Sequence, residues 1–245
     1  MRGLFVKKIG FTLAEILIGL VIIGVVSSLT IPHFTISVQK KHWANALSAQ
    51  VRNFENATRD IMTTESIIDL SESEVWQESS ISSLKTSFKN KMKNIETEID
   101  ENFSEYYENK IFNIDKSLYD GSIENDDFIT YKLKNNGALF ITLILNKQFI
   151  DIGEEEALKR GLNFAKHMAY VIIDINGKNL PNTLGRDIFY FILGDDGKLY
   201  ARGSNEEYLF TNNENHKWQK SCANNNKKGI FCTGRLVENN FVMDY

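Results

Sequence analysis

Hydrophobic positions fall along this chain in three regimes. From Phe11 to Ile31 they are almost continuous, interrupted only by small or hydroxyl residues and by one carboxylate, Glu15. Twenty-one residues of helix measure about 31 Å at roughly 1.5 Å per residue, close to the thickness of a bilayer's hydrocarbon core. Past this run, Phe34, Val38, Leu47, Val51, Phe54 and Ile61 recur at helical spacing among polar residues. The pattern predicts one helix from about Phe11 to about Thr64, its first half lipid-facing and its second half laying an apolar stripe on a folded domain. Pro32 lacks a backbone donor and is expected to bend that helix near residues 28–32. Residues 66–80, rich in Ser and Glu, read as a connector. Ile81, Leu84, Phe88, Met92, Ile95, Ile99 and Phe103 step by three or four, which predicts a second amphipathic helix over 81–108.

Near residue 127 the period shortens to two. Phe128 to Leu133 and Ala138 to Leu145 flank Asn135-Asn136-Gly137, a hairpin signal. Tyr170 to Ile175 reads as a strand. Ile188 to Leu193 and Lys198 to Arg202 flank Gly194-Asp195-Asp196-Gly197, a second hairpin. Glu154 to Lys166 has a helical pattern, and Leu236 to Tyr245 fits either a short helix or an edge strand. A long helix followed by antiparallel strands is an α+β arrangement, the helix packed on a C-terminal sheet.

Composition changes this picture little. Hydrophobic residues make up 42% and charged residues 24% of the 245, enough for one folded domain plus an anchor. The formal net charge is −4, and it becomes −7 without Arg2, Lys7 and Lys8. That balance makes nucleic acid an unlikely partner. The three leader cations lie before the apolar run, and the next cations are Lys40 and Lys41, so the leader is expected to stay in the cytoplasm and the remainder outside. No small-residue cleavage site follows the run, so the apolar segment is expected to remain in the mature chain.

Glu15 is chemically odd, because an ionisable group in hydrocarbon is costly without a partner. Lys7-Lys8-Ile9-Gly10-Phe11-Thr12-Leu13-Ala14-Glu15 resembles the prepilin cleavage and methylation motif of type IV pilins and type II secretion pseudopilins. The resemblance implies cleavage between Gly10 and Phe11 by a prepilin peptidase and methylation of the Phe11 amine. Glu15 becomes the fifth mature residue and Pro32 the twenty-second, as in that family, and both are implied to serve assembly. The implied organisation is a leader over 1–10, a transmembrane helix over 11–33, its exported continuation over 34–65 and a pilin-like α+β domain over 66–245. The implied function is structural, in a pilus-like filament or a pseudopilus. Implied partners are the peptidase, other pilin or pseudopilin subunits, membrane lipid and, indirectly, an inner-membrane assembly platform with its secretion ATPase. The chain's size leans towards a minor or tip component. The competing expectation is a single-pass anchored binding protein or enzyme that never polymerises.

Enzyme motifs are absent: there is no Walker loop, dinucleotide fingerprint, nucleophile elbow or H-E-x-x-H. The four His residues are scattered, so no enzymatic activity is expected. Cys222 and Cys232 are the only cysteines, and both belong to the part expected outside, where paired cysteines usually bond. A loop of this size stabilises by roughly 3 kcal/mol in the chain-entropy model; two buried free thiols are the alternative. Many pilin-like proteins carry a C-terminal disulfide loop, which the resemblance adds to this reading. Between Asp174 and Asp187 the residues Asp174, Asn176, Asn182 and Asp187 offer hard oxygens in a short loop, as calcium prefers. The same residue types also build an Asx-rich turn between strands, with no cofactor at all. The Trp and Tyr residues are expected to serve packing.

Overall fold

The computed structural model describes residues 10–77, 81–101, 103–108, 110–119, 128–142, 155, 159, 167–207, 215, 217–222 and 229–245. The chain divides into two compact units, Met1–Lys41 and His42–Tyr245. Helix α1, Leu13–Glu65, begins in the first and ends in the second. It is helical through residue 32, whose side chain, like that of His33, lies outside the described set.

In the first unit the large apolar residues of α1 lie exposed among the described residues. Thirteen large apolar side chains from Phe11 to Ile31 are each more than half exposed. Leaving so much apolar surface in water costs on the order of 20 kcal/mol, so this surface calls for apolar surroundings. The helix is long and apolar enough to cross a membrane, and none of its most apolar stretch is buried within the protein. Phe34 and Val38, expected at the start of the domain-facing stripe, are exposed as well.

In the second unit the stripe begins at Ala44 and continues through Leu47, Phe54, Ala57, Thr58 and Ile61, all buried. Steps of three and four keep these residues on one side of α1. They enter one core with the sheet residues Ile129, Tyr131, Leu139, Val171, Phe189 and Phe191. The sheet has six strands among the described residues, in chain order and antiparallel throughout. They are β1 (Ile95–Ile99), β2 (Phe128–Leu133), β3 (Ala138–Thr142), β4 (His167–Asp174), β5 (Ile188–Gly194) and β6 (Leu199–Ala201). Alternate residues of β3, β4 and β5, including Phe140, Ile172 and Tyr190, face a second core built around Phe103, Tyr106 and Tyr107. Both faces of the sheet are therefore covered, and β5 is buried along its whole length.

Both predicted hairpins form. At the first, the Leu133 N–H donates to the Gly137 carbonyl, and Asn136 takes the left-handed conformation with φ 66°. At the second, α1 reaches the turn directly. The Thr58 hydroxyl donates to the Gly197 carbonyl at 2.6 Å, and the Leu199 N–H donates to the Glu55 carboxylate at 3.1 Å. Burial raises the pKa of that carboxyl. The helix predicted over 81–108 is shorter than expected. The expected connector 66–80 carries a short helix α2 (Glu74–Gln77), and within 81–108 helix α3 (Ile81–Lys91) is followed by strand β1 and then α4, Phe103–Tyr106. The register of β1 on β2 shifts between Ile95 and Thr97, a bulge that sends Ile95 into the α1 core and Ile99 towards the other. Glu96 pairs with Lys132 at 2.9 Å and Glu98 with Lys89 at 3.5 Å.

The helical segment expected at 154–166 falls largely outside the described residues. Helix α5 (Trp218–Ser221) precedes the tail expected over 236–245, of which only residues 236–238 are helical, as the end of α6 (Cys232–Glu238), and the rest is neither helix nor strand. Helix α6 carries buried Cys232, Thr233 and Leu236. A β-carbon on Gly234 would stand 2.2 Å from the Ser204 backbone nitrogen, so only glycine lets α6 approach the chain after β6 this closely.

Candidate functional site

Three places carry the residues singled out by sequence. At the N-terminal end, Gly10 and Phe11 are exposed and precede α1 in non-helical backbone. Thr12 caps the helix: its hydroxyl accepts the Glu15 N–H at 3.2 Å, and the Glu15 carboxylate accepts both the Thr12 N–H and its hydroxyl at 2.8 Å. This is a capping box, Thr-x-x-Glu, in which each residue satisfies a donor of the other. The carboxylate also meets the positive end of the helix dipole. Glu15 is thus turned back towards the Gly10–Phe11 junction within one helical turn. Thr12 is the partner that the sequence reading overlooked, although the spacing was visible. Residues 1–9 of the expected leader lie outside the described set.

The second place is the loop between β4 and β5, where the structure brings Asp174, Asn176, Asn182 and Asp187 together. Asp174 is fully buried, and its Oδ1 accepts the Asn176 and Gly177 N–H groups, each at 2.9 Å. Its Oδ2 accepts the buried Tyr107 hydroxyl. Asp187 is also fully buried and takes the Asn182 N–H at 2.9 Å and the Thr183 N–H at 2.7 Å, one on each oxygen. Asn176 and Asn179 exchange side-chain-to-carbonyl bonds at 2.9 and 2.8 Å. Lys178 leaves the loop to pair with Glu101 at 2.8 Å and lies over the Tyr106 ring. Burial pushes the Asp174 carboxyl well up and that of Asp187 up to about 6, against the pull of the N–H donors.

Every carboxylate oxygen of the loop therefore already faces a donor, the arrangement of an Asx-rich turn. Calcium takes six to eight oxygens; the four carboxylate oxygens here each already accept a protein donor, while the buried Asn176 Oδ1 has no partner among the described residues. Among the described residues no group of three or more His, Cys, Asp or Glu side chains is placed to hold a metal. A chelator is accordingly expected to leave the melting temperature of the folded domain unchanged. A fall of several degrees on adding EDTA, reversed by calcium, is the result that would return a cation to this loop.

The third place is the C-terminal tail. Cys222 and Cys232 form a disulfide with Cα atoms 5.1 Å apart. The bond joins the end of α5 to the start of α6 and sits against buried elements. The Tyr190 N–H donates to the Thr233 hydroxyl at 3.0 Å, and the Tyr245 hydroxyl donates to the Gly185 carbonyl at 2.7 Å. Nearby, Arg202 and buried Glu207 form an ion pair, with Glu207 also accepting the Gly203 N–H at 3.0 Å. These contacts tie the tail to β5 and to the β4–β5 loop. Trp43 and Trp76 pack on the α1 core, as expected of them.

No family model, no curated protein and no solved structure matches this chain.

Proposed function

We propose that this chain is a structural subunit of a type IV pilus-like filament or a type II secretion pseudopilus, cut after Gly10 by a prepilin peptidase and assembled through its N-terminal helix. The observation that carries the reading is the position of Glu15. It lies five residues past Gly10, in a helix whose large apolar side chains from Phe11 to Ile31 are exposed. An acid at that depth needs a cation, and cleavage creates one at the Phe11 amine. A neighbouring subunit's Phe11 amine would neutralise the acid, and its own charge, when the two helices stand in a fixed axial register. The exposed apolar half of α1 suits lipid before assembly and other copies of the same helix after it. The disulfide-tied α+β domain is the portion carried outside, and Pro32 belongs to the assembling helix.

Mass spectrometry of the chain from its own host is the direct test. The expected N-terminus is methylated Phe11, with residues 1–10 gone. An intact Met1 would instead favour a permanent single-pass anchor.

A further inference from the structure

An open cleft of about 370 Å³ lies on the second unit, between one flank of α1 and the end of α3 with the turns beside the sheet. That volume is at the small end of the range for small-molecule sites. Its two walls differ in chemistry. The sheet-side wall carries Lys91, Lys93 and Lys134; the helix wall carries Asn53, Asn56 and Asp60. Ala57 forms part of the lining, and its small side chain leaves the hollow open. The cationic wall stands out on a chain whose formal net charge is −4.

The cationic wall is braced. Lys134 donates to the Lys93 carbonyl at 2.6 Å, which joins the β2–β3 turn to the turn before β1 without neutralising either ammonium. Asn94, beside Lys93, donates to Gln50 of α1 at 2.7 Å and fixes the spacing of the two walls. Lys91 lies 3.7 Å from Glu65, so Lys93 and Lys134 are the lining cations with no acidic partner among the described residues.

We propose that this cleft binds an acidic sugar residue, its carboxylate against Lys93 and Lys134 and its hydroxyls against Asn53, Asn56 and Asp60. A bare polyanion fits poorly, because Asp60 would then face a like charge. A neutral sugar leaves the two ammonium groups without a counter-charge. A carboxylate carried on a polyol satisfies both walls at once: the ammonium groups donate to the acid, while the carboxamides and Asp60 accept from hydroxyls. The cleft belongs to the exported unit, so the binding holds whether the chain polymerises or remains a single anchor.

The test uses the full chain in micelles of a zwitterionic, non-glycosidic detergent, with alanine methyl groups labelled for NMR. Glucuronate is expected to shift the Ala57 methyl signal saturably, with glucose and inorganic phosphate each binding about tenfold more weakly. Lys93→Ala, at an exposed position, should weaken glucuronate by about tenfold, the loss of one charged hydrogen bond, and leave the other alanine signals in place. Asp60→Ala should weaken glucuronate and glucose together. No saturable shift of Ala57, binding of phosphate or glucose as tight as glucuronate, or an unchanged affinity in Lys93→Ala overturns the proposal. Tighter glucuronate binding in Asp60→Ala does so too, since it would place the acid against the helix wall.

Discussion

Glu15→Gln is expected to insert, to be cut after Gly10 and to be absent from filaments. Glutamine at this position still offers an oxygen to the Thr12 N–H, so the capping box that opens α1 survives the change. Only the negative charge is lost. If that charge answers the Phe11 amine of the next subunit, a neutral side chain leaves the amine buried in hydrocarbon without a partner, and the register between helices is no longer enforced. Buried ion pairs of this kind act on specificity more than on stability. Thr12→Ala makes the converse change: it removes the cap at a cost of about 1 kcal/mol to the helix and keeps the acid. It is expected to join filaments. Immunoblots of sheared filaments, with cleavage verified by mass, separate the outcomes. Incorporation of Glu15→Gln at the wild-type level would reduce Glu15 to a helix cap and remove the main support for polymerisation.

The second large effect lies in the β4–β5 loop, where two buried carboxyl groups with raised pKa values share a short segment. Two like charges in one low-dielectric place do not both stay ionised easily, and Asp174, fully enclosed, is the better seat for the proton. In the protonated acid the Tyr107 hydroxyl must turn from donating to accepting, and asparagine at 174 reproduces that state: its oxygen takes the Asn176 and Gly177 N–H groups, and its amide donates to the Tyr107 oxygen. Asp174→Asn is expected to cost less than about 1 kcal/mol. Asp174→Ala strands two N–H donors and a buried hydroxyl and should cost about 3–5 kcal/mol. At Asp187 both oxygens accept N–H groups, so one face of an asparagine meets a donor with a donor, and Asp187→Asn should cost about 2 kcal/mol. Because the folded pKa of Asp187 is raised, ionising it costs stability as the pH climbs from its unfolded value, near 4, through about 6. The penalty of Asp187→Asn should therefore be larger at pH 4 than at pH 7. Tryptophan fluorescence reports all of this on the full chain, since Trp43, Trp76 and Trp218 all lie in the second unit. Equal destabilisation by Asp174→Asn and Asp174→Ala would mean that Asp174 is ionised.

Features carried by local chemistry were legible in the sequence. Asn135-Asn136-Gly137 and Gly194-Asp195-Asp196-Gly197 each announce a turn within four residues, and both hairpins stand where those signals put them. The long helix was equally plain, because an apolar run from Phe11 to Ile31 passes without a break signal into apolar residues at helical spacing up to Ile61. Strand β1 was not. Ile95 and Ile99 sit four apart, a spacing that fits a helix face as well as a strand, and a bulge then sends them to opposite cores. The domain-facing stripe was read too early, at Phe34, because apolar residues continue past Ile31 whether they meet a bilayer or a protein. The loop at 174–187 was recognised as oxygen-rich. What occupies those oxygens was not visible, since Tyr107 is 67 residues from Asp174 in the chain and reaches it only through the fold. Thr12 needed no fold to find; the spacing Thr-x-x-Glu was on the page, and the oddity of an acid in an apolar run drew the reading elsewhere.

The outer strands of the sheet bear on how such a chain can polymerise safely. Strand β6 is three residues long, and Glu55 of α1 already accepts its first N–H. Strand β1 is bulged and carries Glu96 and Glu98, both held by lysines. Neither outer strand offers a flat, uncharged row of free backbone groups to a neighbour, so β-augmentation and cross-β stacking are disfavoured at both sides of the described sheet. If the chain polymerises as proposed, the surface most prone to uncontrolled adhesion is closed in this way. Assembly would then fall to the helices, whose contacts need no added strand.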